Sequence, residues 1–398
     1  MTTPASPANW AKKATEEVAD HAQFGGCLDV VVDLLGMRPQ PSRSACRSAL
    51  VISGDGRPRF VVPTDTASAA AASCLAYNRL RDRRTRLQRG VLGVALRTGA
   101  ARVLRGERYE VDTSEGSVMA RLFELLGRDD ICVAVGLGNF DTVWKPTLQV
   151  MSLDGRPVAY VKVGWTPFTR TLVDNESETL RAVEAAGSTE LVAPRLLNHC
   201  IWRDRTLVVV SPLPTDVRRI ADDAGVPSPA VVRRLGVVPS RTSLSESSWW
   251  KRLAESVRGG ADHDSDAPLA AAVSKVEDRF GDTEMETARC HGDWTPWNLA
   301  TSPTRGLVAW DWEYSEPDAP VGLDELHSRF QVIRLLERRP ASAAFAASSV
   351  GADRHIAAVQ PLMVAGRVQA ALRAGCSLDE GGAESLRDVP AAVEAALR

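Results

Sequence analysis

The sequence predicts an α+β fold in two lobes: a small, mostly antiparallel β-sheet with one helix, then a large, mainly helical half. An α/β extension precedes both. Two observations carry this expectation. Between about 131 and 214 apolar residues alternate with period two, the signature of half-buried strands; beyond 214 the pattern turns mainly helical. The expected boundaries are 1–127 for the extension, 128–213 for the sheet-rich lobe and 214–398 for the helical lobe. A sheet-rich half joined to a helical half implies a cleft between them, where ligands tend to bind.

In the extension, SALVIS (48–53) and PRFVVP (58–63) flank GDGR (54–57), which reads as a β-hairpin with a glycine-bearing turn. An Ala-rich helix from about 65 to 80 runs into RLRDRRTRLQR, with six arginines between 79 and 89. That cluster reads as a solvated helix face, with an anion or partner site as the alternative. Next come three strands: ICVAVGLG (131–138), TLQVMS (147–152) and PVAYVKVG (157–164), the last two joined by an Asp-Gly turn. A helix around 176–187 ends at Gly187, and strands LLNHCIW (196–202) and TLVVVSPLP (206–214) follow. Helices are expected over 214–224, 228–236, 246–257, 267–280, 322–338, 352–374 and 382–397, with RGGADHDSDAP (258–268) as a loop or linker. Two short apolar runs between 288 and 313 interrupt the helical pattern.

Composition narrows the function classes. Charged residues are 25% and hydrophobic ones 44% of the 398, the proportions of a globular chain and not of a disordered one. Lys+Arg of 48 against Asp+Glu of 50 gives a formal net charge of −2, which argues against a nucleic-acid binder that needs a basic excess. No apolar run is long enough to span a bilayer, so no membrane partner is expected. The first residues lack the apolar core of a signal peptide, and the seven cysteines are scattered without a CxxC pair. Reduced thiols in the cytoplasm are the expectation.

The sharpest feature is CHGDWTPWNL (290–299), followed by GLVAWDWE (306–313). It offers Asp293, Asn298 five residues later, and Asp311 at the end of an apolar strand-like run. Two oxygen ligands suit Mg²⁺, a hard cation that keeps waters or phosphate oxygens in its shell. A further carboxylate beside the metal, free of it, can orient a hydroxyl and take its proton. Phosphoryl transfer asks for these parts, because catalysis there is mostly positioning and charge neutralisation. Only six of the 48 basic residues are lysines, which makes Lys162 in PVAYVKVG conspicuous. Alternation puts Val158, Tyr160 and Lys162 on one face, and a buried ammonium there needs a carboxylate partner from Glu176 or Glu178.

HGD-x4-N followed by D-W-E resembles the catalytic segment of the aminoglycoside phosphotransferase and choline kinase family, which has the protein-kinase-like fold. The resemblance covers about residues 130–330. It implies Asp293 as catalytic base, Asn298 and Asp311 as metal ligands, His291 as a structural residue, and Lys162 as the group that grips the donor phosphates. The family pattern favours Glu176 as its partner. It further implies a phosphate-cradling turn at Gly136, Gly138 and Asn139, although the full G-x-G-x-x-G is missing. Backbone groups of Ser211 and Leu213 in the lobe connection would meet the nucleotide base. Tyr160 stands where protein kinases usually carry a small residue over the adenine, which makes an altered base slot. Four of the ten tryptophans, Trp294, Trp297, Trp310 and Trp312, crowd the segment. Trp294 is the candidate aromatic face for an acceptor, and Glu313 the candidate for recognising an amine, with core packing the alternative for each tryptophan.

The implied activity is transfer of the γ-phosphoryl group of ATP, or of GTP, to a hydroxyl of a small molecule such as a sugar or amino sugar, with Mg²⁺. Its partners are therefore a nucleotide and a small-molecule acceptor. The alternatives are a nucleotide-binding regulator without turnover, and a kinase acting on a Ser or Thr of a peptide. Intact Asp293, Asn298, Asp311 and Lys162 argue against the first. The lack of an A-P-E pattern after Asp311 argues against the second.

Overall fold

The computed structural model describes residues 24–39, 47–99, 101, 104–138, 140, 143–220, 225–236, 238–258, 267–376 and 380–398. The fold is α+β. Its first part supplies α1 (Cys27–Leu34), β1 (Arg38–Pro39), β2 (Arg47–Gly54), β3 (Arg57–Pro63), α2 (Ala67–Leu75), α3 (Arg83–Arg97), β4 (Glu107–Val111) and α4 (Val118–Leu126). Then come β5 (Ile131–Gly136), β6 (Thr147–Ser152), β7 (Pro157–Gly164), α5 (Pro167–Ala186), β8 (Leu191–Val192), β9 (Leu196–Trp202) and β10 (Arg205–Val210).

These strands, β8 apart, form one nine-stranded sheet in the order β1-β4-β2-β3-β5-β6-β7-β10-β9. The expected small sheet is therefore much wider than its own five strands. The seam is the antiparallel pair β3–β5, with Phe60 opposite Gly136 and Val61 opposite Val135. The predicted β2–β3 hairpin forms because Asp55 and Gly56 both take left-handed conformations (φ 54° and 75°), the turn whose twist matches its strands.

Alternation gives the sheet two buried faces. On one, Val133, Val135, Leu148, Val150 and Val161 meet α1 and α4 through Val30, Val31, Leu34, Val118 and Leu122. On the other, α2 places Ala69 against Cys132, Ala134 and Met151, while α5 brings Val173 and Leu180 to Val208 and Val210. Each valine, leucine or methionine among these contributes about 1.5–3 kcal/mol on burial. Tyr160 and Lys162 point to this second face.

Two helices start or stop where local chemistry overrides periodicity. α5 begins nine residues before the expected start, because Thr166 and Thr169 cap it reciprocally and Pro167 fits its first turn. It ends at Gly187 (φ 62°) as predicted. The expected continuous helix from 65 into the arginine segment is broken instead. α2 stops at Leu75, a 3₁₀ turn covers Asn78–Leu80, and Asp82 caps α3 by accepting from the Thr85 amide at 3.0 Å. Arg79, Arg81, Arg83, Arg84 and Arg86 are exposed, whereas Arg89 turns inward and donates to the carbonyls of Ser73 and Cys74.

The helical half contains β11 (Arg218–Arg219), β12 (Ser240–Ser243), α6 (Ser248–Arg258), α7 (Ala267–Phe280), β13 (Glu284–Cys290), β14 (Leu299–Ser302), β15 (Gly306–Ala309), β16 (Glu316–Pro320), α8 (Leu323–Gln331), α9 (Ala341–Ser348), α10 (Arg354–Arg373) and α11 (Glu380–Leu397). Its core joins Trp249, Trp250, Val273, Phe330, Phe345, Leu362 and Val389. No helix covers 214–220. There β11 pairs with β14, and Asp216 accepts from the hydroxyls of Ser302 and Thr304, each at 2.7 Å. The expected helix at 228–236 is a 3₁₀ turn, Pro229–Arg234, and the one at 322–338 leaves α-helical geometry at Val332 for a wider π-helical turn. β8 pairs in parallel with β15 and so ties the two halves together. Among the described residues no helix is long and apolar enough to cross a membrane.

Candidate active site

The site is assembled where β7 and α5 face the β13–β15 segment. Lys162 on β7 donates to Glu176 Oε1 of α5 at 2.7 Å, forms an ion pair with that carboxylate, and also donates to Asp311. Glu176 is 1% exposed, whereas Glu178, the alternative partner, lies on the solvent side of α5. Lys145 pairs with Glu313 just beside them. Burial alone would favour neutral Lys162, but Asp311 and Glu176 outweigh it and hold the ammonium charged far above its ordinary range. Burial likewise opposes the Asp311 charge, and Lys162 and Lys145 reverse that, holding its carboxyl well below the usual range. Glu313, itself buried, is pushed up to about 7, by burial first and despite Lys145.

The HGD segment is a fixed loop. The amides of His291 and Gly292 donate to the two oxygens of Asp324 at 2.7 and 2.8 Å. Gly292 has φ 82°, and a Cβ there would fall 2.0 Å from the Tyr314 carbonyl, so only glycine fits. His291 Nδ1 accepts from the Asp293 amide at 3.3 Å, which leaves Nε2–H to donate to the Trp310 carbonyl at 3.1 Å. Burial keeps this imidazole neutral, its pKa near 4.

Asp293 receives the side-chain amide of Asn298 on Oδ2 (2.8 Å) and on its backbone carbonyl (3.1 Å), while Oδ1 is buried without a partner. Burial first, and then Asp311, push its carboxyl up to about 6. The Trp310 amide donates to the Asn298 carbonyl at 3.1 Å, binding the two motifs together, and Asp311 follows in a left-handed conformation (φ 69°). Asn298 spends its NH₂ on Asp293, so its amide oxygen is the ligand atom it has to offer. The carboxylates of Glu176, Asp311 and Glu313 lie within 4.8 Å of one another. An all-oxygen set of this kind fits a hard cation such as Mg²⁺.

Other expected residues have different surroundings. Trp294 is fully buried and donates its indole N–H to the Pro227 carbonyl at 2.7 Å, so it is core and offers no face to an acceptor. Trp312 is equally buried, and of the four only Trp297 is exposed. Glu313 is occupied by Lys145 and belongs to the acidic cluster, not to an amine-binding surface. Gly136 pairs with Phe60 in the sheet, and the Gly138 carbonyl accepts from the Cys27 thiol at 3.6 Å; Asn139 lies outside the described residues. In the lobe connection the Ser211 amide is taken by the Arg195 carbonyl (2.8 Å), and the Leu213 carbonyl accepts from the Tyr77 hydroxyl (2.6 Å).

Asp324, Lys145 and Arg367 escape the sequence reading. Asp324 looks like any acidic residue in a first helical turn. Lys145 carried a usable signal, being one of only six lysines. The Arg367 guanidinium lies 4.4 Å over the Tyr314 ring, close enough to Asp293 to lower its pKa.

No family model matches this chain, and no curated protein does. Among solved structures it is similar to a thermostable mutant of the aminoglycoside phosphotransferase APH(4)-Ia (13% identity, TM-score 0.44, covering 70% of this chain and 98% of that one). It is also similar to the choline kinase LicA from Streptococcus pneumoniae (12%, TM-score 0.40, 70% and 98%). A third is a putative fructosamine-3-kinase from Haemophilus somnus (11%, TM-score 0.35, 62% and 95%).

Proposed function

We propose that the chain is a nucleotide-dependent phosphotransferase that moves the γ-phosphoryl group of ATP or GTP to a hydroxyl of a small molecule. The observation that carries this is the Asp293 carboxylate. One of its oxygens is held by Asn298 and the other is buried without a partner, beside the Lys162–Glu176–Asp311 cluster. A base poised near pH 6 with a vacant lone pair suits a substrate hydroxyl.

In this reading Lys162, fixed by Glu176, binds the donor phosphates. Asp311 and Asn298, with Glu313 alongside, hold Mg²⁺, which when bound supplies charge neutralisation to those phosphates. Asp293 orients the acceptor hydroxyl and takes its proton as the acceptor oxygen bonds to the γ-phosphorus and the nucleoside diphosphate leaves. Asp324 and Gly292 keep the loop in place. A cavity of about 80 Å³ is lined by Trp249, Arg252, Tyr314, Glu316 and Arg367 among others, and we assign the acceptor to it. Arg252 is matched there by Glu316 and Asp318, whereas Arg367 has no carboxylate partner among the described residues. Hydroxy acids therefore join sugars and amino sugars as candidate acceptors.

The test is Asp293→Ala with calorimetry and turnover in parallel. Retained nucleotide binding with abolished transfer is expected, and near-normal turnover would remove Asp293 from its role. Asp311→Ala is expected to lose Mg²⁺-dependent nucleotide binding.

A further inference from the structure

The end of the cleft away from Lys162 is filled by the chain itself. Tyr77 lies in the turn between α2 and α3, in a left-handed conformation (φ 53°) that a bulky residue adopts only when its surroundings demand it. Its hydroxyl donates to the Leu213 carbonyl, 136 residues away in the lobe connection, at 2.6 Å. Its ring centroid is 5.9 Å from that of Tyr160, which precedes Lys162 by two residues on the same strand face, about 7 Å along the strand. With Leu80, Tyr77 packs on Val217, Ala300 and Val308 in a cluster that also takes in Leu213 and Trp310, the residue before Asp311. A single side chain thus touches the sheet, the lobe connection and the helical half.

Around this phenol, which is tilted 56° to the Tyr160 ring, aromatic and aliphatic side chains and one backbone carbonyl meet, the kinds of contact a nucleobase uses. A base stacks through its π face and donates an N–H to a carbonyl; the phenol does both with its ring and O–H. We propose that Tyr77 governs which donor the cleft admits, by occupying the base subsite so that a nucleotide binds only when the α2–α3 turn withdraws. This rests on the phosphotransferase reading above. The turn is tied together internally: Asn78 donates to the Arg86 carbonyl at 2.9 Å, and Arg89 ties α3 to the end of α2. A site blocked in all but a small fraction of molecules has its apparent affinity weakened by that fraction, so removing the block tightens binding by the same factor.

The experiment measures Mg²⁺-dependent binding of ATP, GTP and inorganic tripolyphosphate to the full chain and to Tyr77→Asn, Tyr77→Ala and Tyr77→Phe. Asparagine tolerates the left-handed turn and removes both the ring and its hydroxyl. Tyr77→Asn and Tyr77→Ala are expected to bind one or both nucleotides about 10-fold or more tightly than the parent, with tripolyphosphate, which has no base, unchanged. Tyr77→Phe keeps the ring and loses the hydrogen bond, so a smaller tightening of the same sign is expected; it carries the test if the other variants do not fold. Equal or weaker nucleotide binding in the variants, with the parent still binding nucleotide, would overturn the role of Tyr77 and leave the phosphotransferase reading standing. Absence of binding of any probe to parent and variants alike overturns both.

Discussion

The two ends of the cleft are held by different physics. At the Lys162 end, buried charges are matched one against another: Lys162 with Glu176 and Asp311, Lys145 with Glu313, and Asp324 with two backbone amides. At the Tyr77 end, aromatic and aliphatic surfaces meet around a single hydrogen bond to Leu213. Removing one buried charge leaves its partners uncompensated, so the residue types there are not interchangeable. Apolar contacts are gradual, and substitution weakens them in proportion to what is lost. The first end is therefore fixed and the second adjustable, which is the division expected between chemistry and admission of a donor.

Lys162→Met breaks that contrast most directly. It leaves Glu176 and Asp311 facing each other without the ammonium that bridges them, and unfolding by urea should show a loss of about 3–5 kcal/mol. A loss below about 1 kcal/mol would mean that water already screens the cluster. Gly292→Ala comes next, at about 1–3 kcal/mol for the left-handed backbone, with additional displacement of the loop from the Tyr314 carbonyl and loss of turnover. Tyr77→Phe should lower stability by only about 1 kcal/mol, the net worth of one hydrogen bond. A much larger cost would make the Tyr77 end as rigid as the other.

A pH profile sharpens the same comparison. The Asp293 carboxyl is held up near 6, above its value in the unfolded chain, so the native state binds that proton more tightly. Its ionised form therefore costs stability above about pH 6, a cost relieved as pH falls toward 4. Turnover needs the ionised base and should rise as pH increases through about 6. Asn298→Ala removes a hydrogen bond that lowers this pKa, so the rising limb should move to higher pH. A limb that stays put would separate Asn298 from the base.

Much of the charged end was legible in the sequence, and for the same reason that it is fixed. HGD, Asn298, D-W-E and a lysine in an apolar strand are short-range patterns whose residue types have few substitutes. The pairing of Lys162 with Glu176, not Glu178, needed the turn of α5, which a capping pair at Thr166 and Thr169 starts well before the acidic residues. Trp294 failed as an acceptor face because sequence does not say which side of a loop faces inward; the Pro227 carbonyl decides it. Tyr77 was invisible. Its meaning depends on Leu213 and Tyr160, brought to it only because the first strands fuse to the sheet through the β3–β5 seam. Of the helices expected over 214–224 and 228–236, the first is replaced over 214–220 by β11 and the Asp216 hydrogen bonds, with 221–224 outside the described residues, and the second by a 3₁₀ turn.

The proposed role of Asp293, as the base that takes the proton of the oxygen attacking a phosphate held by Lys162, is tested most directly by nucleotide hydrolysis. Parent, Tyr77→Asn and Asp293→Asn proteins would be compared with ATP and GTP, with and without Mg²⁺. Slow, Mg²⁺-dependent hydrolysis in the first two that drops about 10²–10⁴-fold in Asp293→Asn is the predicted result. Hydrolysis undiminished in Asp293→Asn, or absent from both the parent and Tyr77→Asn, would contradict it.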